Sequence, residues 1–253
     1  MIKKLLRAIT PPSWLPKLRI FNYVIGNKFT YTEDCLYTTI NTDFLTDPDF
    51  ARAYGKGKKL MQQSWGDYDF RWRAYIVAWA ARQAKNLEGD FVECGVNTGM
   101  NARMIIDYIN FDTTTKVYYL LDTYHGMSEK YSTKTEMLRS ENMGYVTDIY
   151  EEVKETFKPF PNVHLVKGAI PETLPLVPSE KVSLLLVDMN CVLPEVEALE
   201  FFWEKVVPGG FIILDDHGFP GHEAQRKAHI AFAQKHGTVV LPLPTGQGII
   251  IKQ

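Results

Sequence analysis

The sequence has few cysteines and almost no excess of charge of either sign. Its three cysteines, Cys35, Cys94 and Cys191, are far apart and odd in number, which excludes both a disulfide framework and a Cys-x-x-Cys metal knuckle. A net charge of -2 over 253 residues provides no basic field for nucleic acid. These features predict a protein of the reducing cytoplasm that does not bind nucleic acid.

Long apolar runs are also missing. No stretch approaches the roughly 20 apolar residues that span a bilayer, and the apolar start before Pro11 is too short for a secretory signal. Residues 1–20 are nevertheless basic and amphipathic, with Lys3, Lys4 and Arg7 among aliphatic residues. They predict either a weak contact with an anionic membrane surface or an arm that is solvated or packed on a partner.

From about residue 90, short aliphatic runs alternate with helical patterns, which is typical of βαβ units and a parallel sheet. The predicted strands are 90–94, 117–122, 163–167, 182–188, 210–215, 238–243 and 248–252, and the predicted helices are 68–85, 100–109, 145–157, 195–206 and 222–236. Residues 244–247 are too few for a crossover helix, so the last two strands must be antiparallel. The sequence therefore predicts an α/β, Rossmann-like class I methyltransferase fold with a seven-stranded, mostly parallel sheet and an antiparallel C-terminal hairpin.

The chain before the sheet has a different character. Residues 27–67 show no sustained periodicity, which predicts loops and short helices. We therefore expect an extension over residues 1–67, acting as a lid, a substrate wall or an oligomer contact. Residues 68–253 would form the methyltransferase domain.

The first predicted strand ends in a glycine turn, Glu93-Cys94-Gly95-Val96-Asn97-Thr98-Gly99. The GxGxxG pattern of dinucleotide enzymes is absent, and a cofactor without phosphate, such as S-adenosylmethionine, tolerates this looser turn. Asp122 ends the second strand, where a carboxylate can accept the ribose hydroxyls. The predicted cofactor contacts are Glu93, Gly95, Asn97, Thr98, Gly99, Asp122, Thr123, Tyr124, Gly168 and Ala169, with Tyr124 against the adenine.

Carboxylates follow the fourth and fifth strands. Asp188 lies after the fourth, and Asp215 and Asp216 lie after the fifth, so adjacent parallel strands would bring them together. An all-oxygen set suits Mg²⁺, which would lower the pKa of an acceptor hydroxyl and hold it in place. Asp188 is the predicted proton acceptor, with His217 as its substitute. The alternative is that these carboxylates cap loops and bind only water.

In combination, these motifs resemble the macrocin/mycinamicin O-methyltransferase family, which methylates sugar hydroxyls with S-adenosylmethionine and Mg²⁺. The resemblance covers roughly residues 89–252 and is carried by Gly89-Asp-Phe-Val-Glu-Cys-Gly-Val, Leu121-Asp-Thr-Tyr-His-Gly126, Asp188, Val207-Pro-Gly-Gly-Phe and Asp215-Asp216. It implies that Glu93, Gly95 and Asp122 hold the cofactor, and that Asp188, Asp215 and Asp216 hold the metal. It also implies homo-oligomers.

Two positions depart from the family pattern. Its Asp-x-Asp after the fourth strand is here Asp188-Met189-Asn190, and its Asp-Asp-Tyr is Asp215-Asp216-His217. Asn190 still offers a carbonyl oxygen to a metal. Because both positions lie beside the expected reaction centre, the departures bear on which acceptor is used.

The leading functional hypothesis is a Mg²⁺-dependent O-methyltransferase acting on a sugar hydroxyl of a glycosylated natural product or a surface glycan. Aromatic residues such as Tyr31, Trp65, Tyr68 and Trp72 also allow a catechol or other phenolic acceptor. A third hypothesis is an accessory protein that binds S-adenosylmethionine without turnover. If the protein is a sugar O-methyltransferase, its expected partner is a small-molecule or glycan substrate.

Overall fold

The computed structural model describes residue 26 and residues 29–65, 68–142, 144 and 147–253. The chain forms two units, Met1–Asp43 and Phe44–Gln253. In the first unit, Tyr31 and Thr38 form an antiparallel bridge. The segment 1–20 and the side chain of Trp65 lie outside the described residues. In the described part of the chain, no helix is both long and apolar enough to cross a membrane.

The second unit is built on a seven-stranded sheet with the strand order β3-β2-β1-β4-β5-β7-β6. Its strands are β1 (Asp90–Cys94), β2 (Tyr118–Asp122), β3 (Val163–Lys167), β4 (Val182–Val187), β5 (Val206–Leu214), β6 (Leu241–Pro242) and β7 (Gly248–Ile251). The first five run parallel, whereas β7 is antiparallel to β5 and β6. The predicted α/β architecture, with its antiparallel closing hairpin, is confirmed.

Within the described residues of the second unit, seven α-helices surround or precede these strands. They are α1 (Pro48–Trp65), α2 (Arg71–Ala84), α3 (Met100–Ile109), α4 (Lys134–Asn142), α5 (Tyr150–Phe157), α6 (Val192–Trp203) and α7 (Glu223–Lys235). The prediction for α3 has the same bounds as the structure, and those for α2, α6 and α7 differ only at their ends. The predicted helix 145–157 begins later, at Tyr150, and residues 145 and 146 lie outside the described residues. Helix α4 was not predicted.

The core lies on both faces of the central strands. Every residue of β4 is buried, and so are the last four of β1. Parallel strands covered by helices on both faces read as continuous apolar runs, which explains why the sequence identified them. β1 lies between β2 and β4, so the strand order reverses there and leaves a crevice beyond the carboxyl ends of β1 and β4.

The prediction of loops and short helices between residues 27 and 67 is wrong for α1, which is a single helix of 18 residues. The two glycines Gly55 and Gly57 argued against a continuous helix in the sequence, because glycine is unfavourable in helix interiors. Gly57 has a packing role: a Cβ atom there would lie 2.6 Å from the carbonyl oxygen of Met100 in α3. The glycine lets the two helices approach closely. The domain boundary between residues 67 and 68 stays a prediction.

The two glycines of α1 provide a matched test of this packing. Nothing lies within 4 Å of a Cβ atom at residue 55, so Gly55→Ala should stabilise the fold by roughly 0.5–1 kcal/mol through helix propensity. Gly57→Ala should instead destabilise it by roughly 1–3 kcal/mol, because the methyl group overlaps α3. The free energy of unfolding in urea measures both. Equal shifts in the two variants would contradict the close packing.

Candidate active site

A cavity of about 480 Å³ lies beyond the carboxyl ends of the parallel strands. This is where α/β sheets bind ligands, and the volume is in the usual range for a small-molecule site. The predicted residues that line it are Glu93, Gly95, Asn97, Thr98, Asp122, Thr123, Tyr124, Gly168, Ala169, Asp188, Asp215 and Asp216. Among the described residues, the predicted Gly99 and His217 do not line it. The fold thus places twelve of the predicted site residues around one cavity.

The turn after β1 is built on left-handed backbone conformations. Gly95, Asn97 and Gly99 have φ angles of 92°, 49° and 85°. At Gly95 the chain also needs space, since a Cβ atom would lie 1.9 Å from the carbonyl oxygen of Asp188. Gly99 caps α3 at its N-terminus and packs on Phe157. The glycines therefore allow the backbone conformation of the turn and its close contacts with Asp188, just after β4, and with Phe157 of α5.

Asp122 holds this turn in place from the end of β2. Its Oδ2 atom accepts hydrogen bonds from the backbone N–H groups of Val96, at 2.7 Å, and Asn97, at 2.8 Å. Its Oδ1 atom accepts one from the N–H of Tyr124, at 2.7 Å. The carboxylate thus shapes the turn itself. Oδ2 already accepts two hydrogen bonds, so the acceptor capacity left for a ligand in the cavity lies on Oδ1. Its contact with a ribose stays a prediction.

Tyr124 and Thr98, two further predicted cofactor contacts, differ in whether their hydroxyl groups already have a hydrogen-bond partner. The hydroxyl group of Tyr124 donates to the carbonyl oxygen of Leu120, and the ring is buried against Tyr150. The ring can therefore line an adenine site, while the hydroxyl group is already bonded to β2. Thr98 presents the opposite case: its Oγ1 atom is buried and has no hydrogen-bond partner within the described part of the chain. A polar ligand beside the turn would satisfy that atom.

Glu93 is a buried carboxyl at the cavity wall. Tyr118 donates a hydrogen bond to its Oε2 atom at 2.7 Å. The pKa of Glu93 is raised to about 8, chiefly by burial; the hydrogen bond from Tyr118 opposes this rise, and the charges of Asp122 and Asp215 add to it. A cationic ligand close to this carboxyl would favour its ionised form.

Asp188, Asp215 and Asp216 meet at the carboxyl ends of β4 and β5. One oxygen from each lies within 4.8 Å of the others, as expected from neighbouring parallel strands. The pKa of Asp188 is raised well above its usual value by burial and then by the charges of Asp215 and Asp216. Burial likewise raises the pKa of Asp216, against the effect of His222, whose Nδ1 atom lies 3.1 Å from Asp216 Oδ2.

The electrostatic balance of this cluster fits a divalent cation. Asp215 is paired with Arg73, whose Nη1 atom donates to Oδ2 at 2.9 Å, and its Oδ1 atom accepts from Gln247 at 3.0 Å. One guanidinium against three carboxylates leaves about two negative charges in excess when all three are ionised. Carboxylate oxygens are the donors that Mg²⁺ prefers, so the residues present fit this ion. The sequence did not identify Arg73, because nothing in α2 distinguishes it from a residue that covers the sheet.

His217 does not take the position predicted for a substitute base. Its ring is buried, away from the cavity lining, with Nδ1 3.3 Å from Nδ1 of His229. Burial, and then the charge of His229, lowers the pKa of His217 to about 4. The residue is therefore neutral near pH 7 and part of the packing between the β5 loop and α7. Its predicted catalytic role is not supported by this geometry.

Helix α4, which the sequence did not predict, forms one wall of the cavity. Ser140, on α4, lines the cavity together with His125 and Asn190. A signal for this helix exists in the sequence as Thr133-x-x-Glu136. In the structure, Glu136 Oε2 accepts from the N–H of Thr133 at 2.7 Å and the Thr133 hydroxyl faces the N–H of Glu136 at 3.3 Å. This is a capping box.

The strand order and the cavity at the switch point define a class I methyltransferase fold. Solved structures with this fold include the O-methyltransferase NovP, with a TM-score of 0.64 and 16% identity over 83% of this chain and 97% of that one. CalS11, a calicheamicin methyltransferase, has a TM-score of 0.62 and 14% identity over 81% of this chain and 93% of that one. At such identities the likeness establishes the fold, and the predicted fold class is confirmed.

The chain belongs to the macrocin O-methyltransferase (TylF) family, whose model matches residues 71–243. The predicted family, one of S-adenosylmethionine-dependent O-methyltransferases, is thereby confirmed. A relative from Streptomyces olivaceus, 8-demethyl-8-(2,3-dimethoxy-alpha-L-rhamnosyl)-tetracenomycin-C 4'-O-methyltransferase, is 27% identical over 144 residues. That match covers 53% of this chain and 55% of the relative, so the chain spans about half the length of the relative that it matches.

Glu93 makes the stability of the ligand-free protein depend on pH. Because its pKa is raised to about 8 from 4.5, the folded state holds a proton that the unfolded state releases, and stability falls as pH rises from about 4.5 to 8. Glu93→Gln removes this loss, so the variant should gain stability over wild type by a few kcal/mol at pH 8 and by little at pH 5. Unfolding in urea at both pH values measures the gain.

The exposed Glu197 supplies the control. Glu197→Gln should leave the difference between pH 5 and pH 8 unchanged. If Glu93→Gln changed stability equally at the two pH values, the raised pKa of Glu93 would be wrong.

Proposed function

We propose that the protein transfers a methyl group from S-adenosylmethionine to a hydroxyl group of a sugar in a glycosylated natural product, with Mg²⁺ held by Asp188, Asp215 and Asp216. The observation that carries the proposal is one cavity that joins the glycine turn after β1 to this carboxylate cluster. Family membership and the sugar named for the Streptomyces olivaceus relative support it. A cytoplasmic location, homo-oligomers and membrane contact by residues 1–20 stay predictions.

The donor half of the cavity would be formed by the turn, β2 and the loop after β3. S-adenosylmethionine supplies a methyl group on a positively charged sulfur. The Glu93 carboxyl lies in the wall of this half, where its ionised form would stabilise a positive charge. Asp122 would accept ribose hydroxyls while holding the turn, and Gly168 and Ala169 would let the adenine approach their backbone.

The acceptor half would be formed by the three carboxylates. Mg²⁺, when bound there, lowers the pKa of a coordinated hydroxyl and fixes its position. Vicinal sugar hydroxyls offer two oxygens for such coordination. Asp188 would take the proton from the acceptor hydroxyl onto a carboxylate oxygen, since it is the carboxylate of the cluster that lies beside the turn after β1.

The transfer would be a direct displacement at the methyl carbon. The acceptor oxygen would form a bond to the methyl carbon, the bond between that carbon and sulfur would break, and its electron pair would stay on sulfur. The proton of the hydroxyl would go to Asp188. The contact of Gly95 with Asp188 keeps the two halves of the cavity adjacent, which favours the alignment of oxygen, carbon and sulfur that such a displacement requires.

A phenolic acceptor is the second candidate, because Tyr68 and Phe70 also line the cavity. We therefore expect a transfer assay with methyl-labelled S-adenosylmethionine to separate the two. A rhamnosylated tetracenomycin C should be labelled in the presence of Mg²⁺, and catechol and caffeate should not. Labelling of catechols alone would contradict the sugar proposal. Binding of S-adenosylhomocysteine with no transfer to either panel would favour the accessory role.

Asp188→Asn tests the role of the carboxylate cluster. The amide keeps the shape of the side chain but loses the charge and the base, so kcat should fall roughly 100-fold or more. Affinity for S-adenosylhomocysteine, measured by calorimetry, should change little, because the donor half of the cavity is intact. Asp112→Asn, at an exposed position, is the control for the loss of one carboxylate. Wild-type turnover and Mg²⁺ response in Asp188→Asn would overturn the proposed metal site.

A further inference from the structure

The chain that follows β4 is held by charged side chains at three successive residues. The carbonyl oxygen of Asn190 accepts from Nη2 of Arg139 at 2.8 Å. The N–H of Cys191 donates to Glu195 Oε1 at 3.3 Å, and the N–H of Val192 donates to Glu136 Oε1 at 2.9 Å. Two of these three side chains belong to α4, so this helix from the cavity wall docks on the loop that carries Asp188.

The same guanidinium also reaches the loop after β5. Nη1 of Arg139 donates to the carbonyl oxygen of Gly221 at 2.6 Å, and Nη2 donates to Oε1 of Gln225 at 3.3 Å. Gln225 is buried and its amide nitrogen donates to Glu195 at 3.3 Å. Arg139 therefore joins the loop after β4 to the loop after β5, and only a guanidinium, with its five donors in a fixed plane, can serve acceptors on both.

These two loops carry the three carboxylates. Asn190 lies two residues after Asp188 and has a φ angle of 56°, a left-handed conformation that its neighbours must stabilise. Its Nδ2 atom lies 3.4 Å from Asp188 Oδ1. A shift of the Asn190 backbone would thus move an amide that touches the Asp188 carboxylate. Gly221 belongs to the segment between Asp216 and α7.

We infer that Arg139 is a positioning residue for the carboxylate cluster: it fixes the spacing between the loops after β4 and β5, and so the spacing of Asp188 from Asp215 and Asp216. The inference rests on the proposed metal-dependent function. Arg139 does not line the cavity and touches none of the three carboxylates in the contacts described. Its effect passes through the backbone of Asn190 and Gly221. Outer residues that orient ligands in this way typically change metal affinity 10- to 100-fold.

The test is the affinity for Mn²⁺, followed by the paramagnetic resonance signal of the free ion, with S-adenosylhomocysteine affinity measured on the same samples. Arg139→Ala should bind Mn²⁺ roughly 10- to 100-fold more weakly than wild type, with S-adenosylhomocysteine affinity nearly unchanged. Millimolar guanidinium should restore part of the Mn²⁺ affinity, because it can occupy the vacated position. Arg139→Lys should not retain the wild-type Mn²⁺ affinity, since one ammonium group cannot bridge the two loops.

Arg103→Ala is the matched control, because Arg103 is also a partly buried arginine, and its partner Asp107 lies within α3, away from the carboxylates. It should leave Mn²⁺ affinity unchanged. Wild-type Mn²⁺ affinity in Arg139→Ala would overturn the inference and leave the metal proposal standing. A loss of both Mn²⁺ and S-adenosylhomocysteine binding without rescue by guanidinium would show a general structural role and also overturn it. Absence of Mn²⁺ binding in wild type would overturn both proposals.

Discussion

The backbone of Gly95 packs on the carbonyl group of Asp188, with no room between them for a side-chain carbon. The contact follows from the sheet, because β1 and β4 are parallel neighbours and the N–H of Asp188 donates to the carbonyl oxygen of Cys94 at 2.9 Å. It places the turn proposed for the methyl donor directly beside the first carboxylate proposed for the metal. Methyl transfer requires reacting atoms about 3–3.5 Å apart, and this shared wall makes such an approach possible.

Unbalanced negative charge is the second constraint on the site. Glu93, Asp188 and Asp216 all have raised pKa values, with burial as the main cause and neighbouring carboxylates as a further one. Arg73 is paired with Asp215 and its charge also lowers the pKa of Asp188, but one guanidinium does not balance three carboxylates. Such a cluster costs folding free energy in the ligand-free protein, and positively charged ligands would relieve that cost. A sulfonium donor near Glu93 and a divalent cation at the aspartates would do so at the two ends of one cavity.

The sequence was most informative where one local pattern decides the structure. The buried strands and the short linker 244–247 determine the sheet, and residues that end strands in a parallel sheet must meet at one edge, which located Asp122 and Asp188. Tertiary contacts decided the rest. Gly57 is tolerated in α1 because it packs on α3, and Arg73 reaches Asp215 across 142 positions of the chain. His217 follows the strand-end carboxylates, yet its ring turns toward His229, a direction that spacing along the chain does not determine.

A crystal structure with S-adenosylhomocysteine and Mn²⁺ would test the central claim most directly. The account predicts an anomalous Mn²⁺ peak within coordinating distance of one oxygen each of Asp188, Asp215 and Asp216. The sulfur of S-adenosylhomocysteine should lie in the same cavity, with the ribose beside Asp122. An Mn²⁺ peak away from these carboxylates, or a cofactor seated away from the turn after β1, would contradict the account.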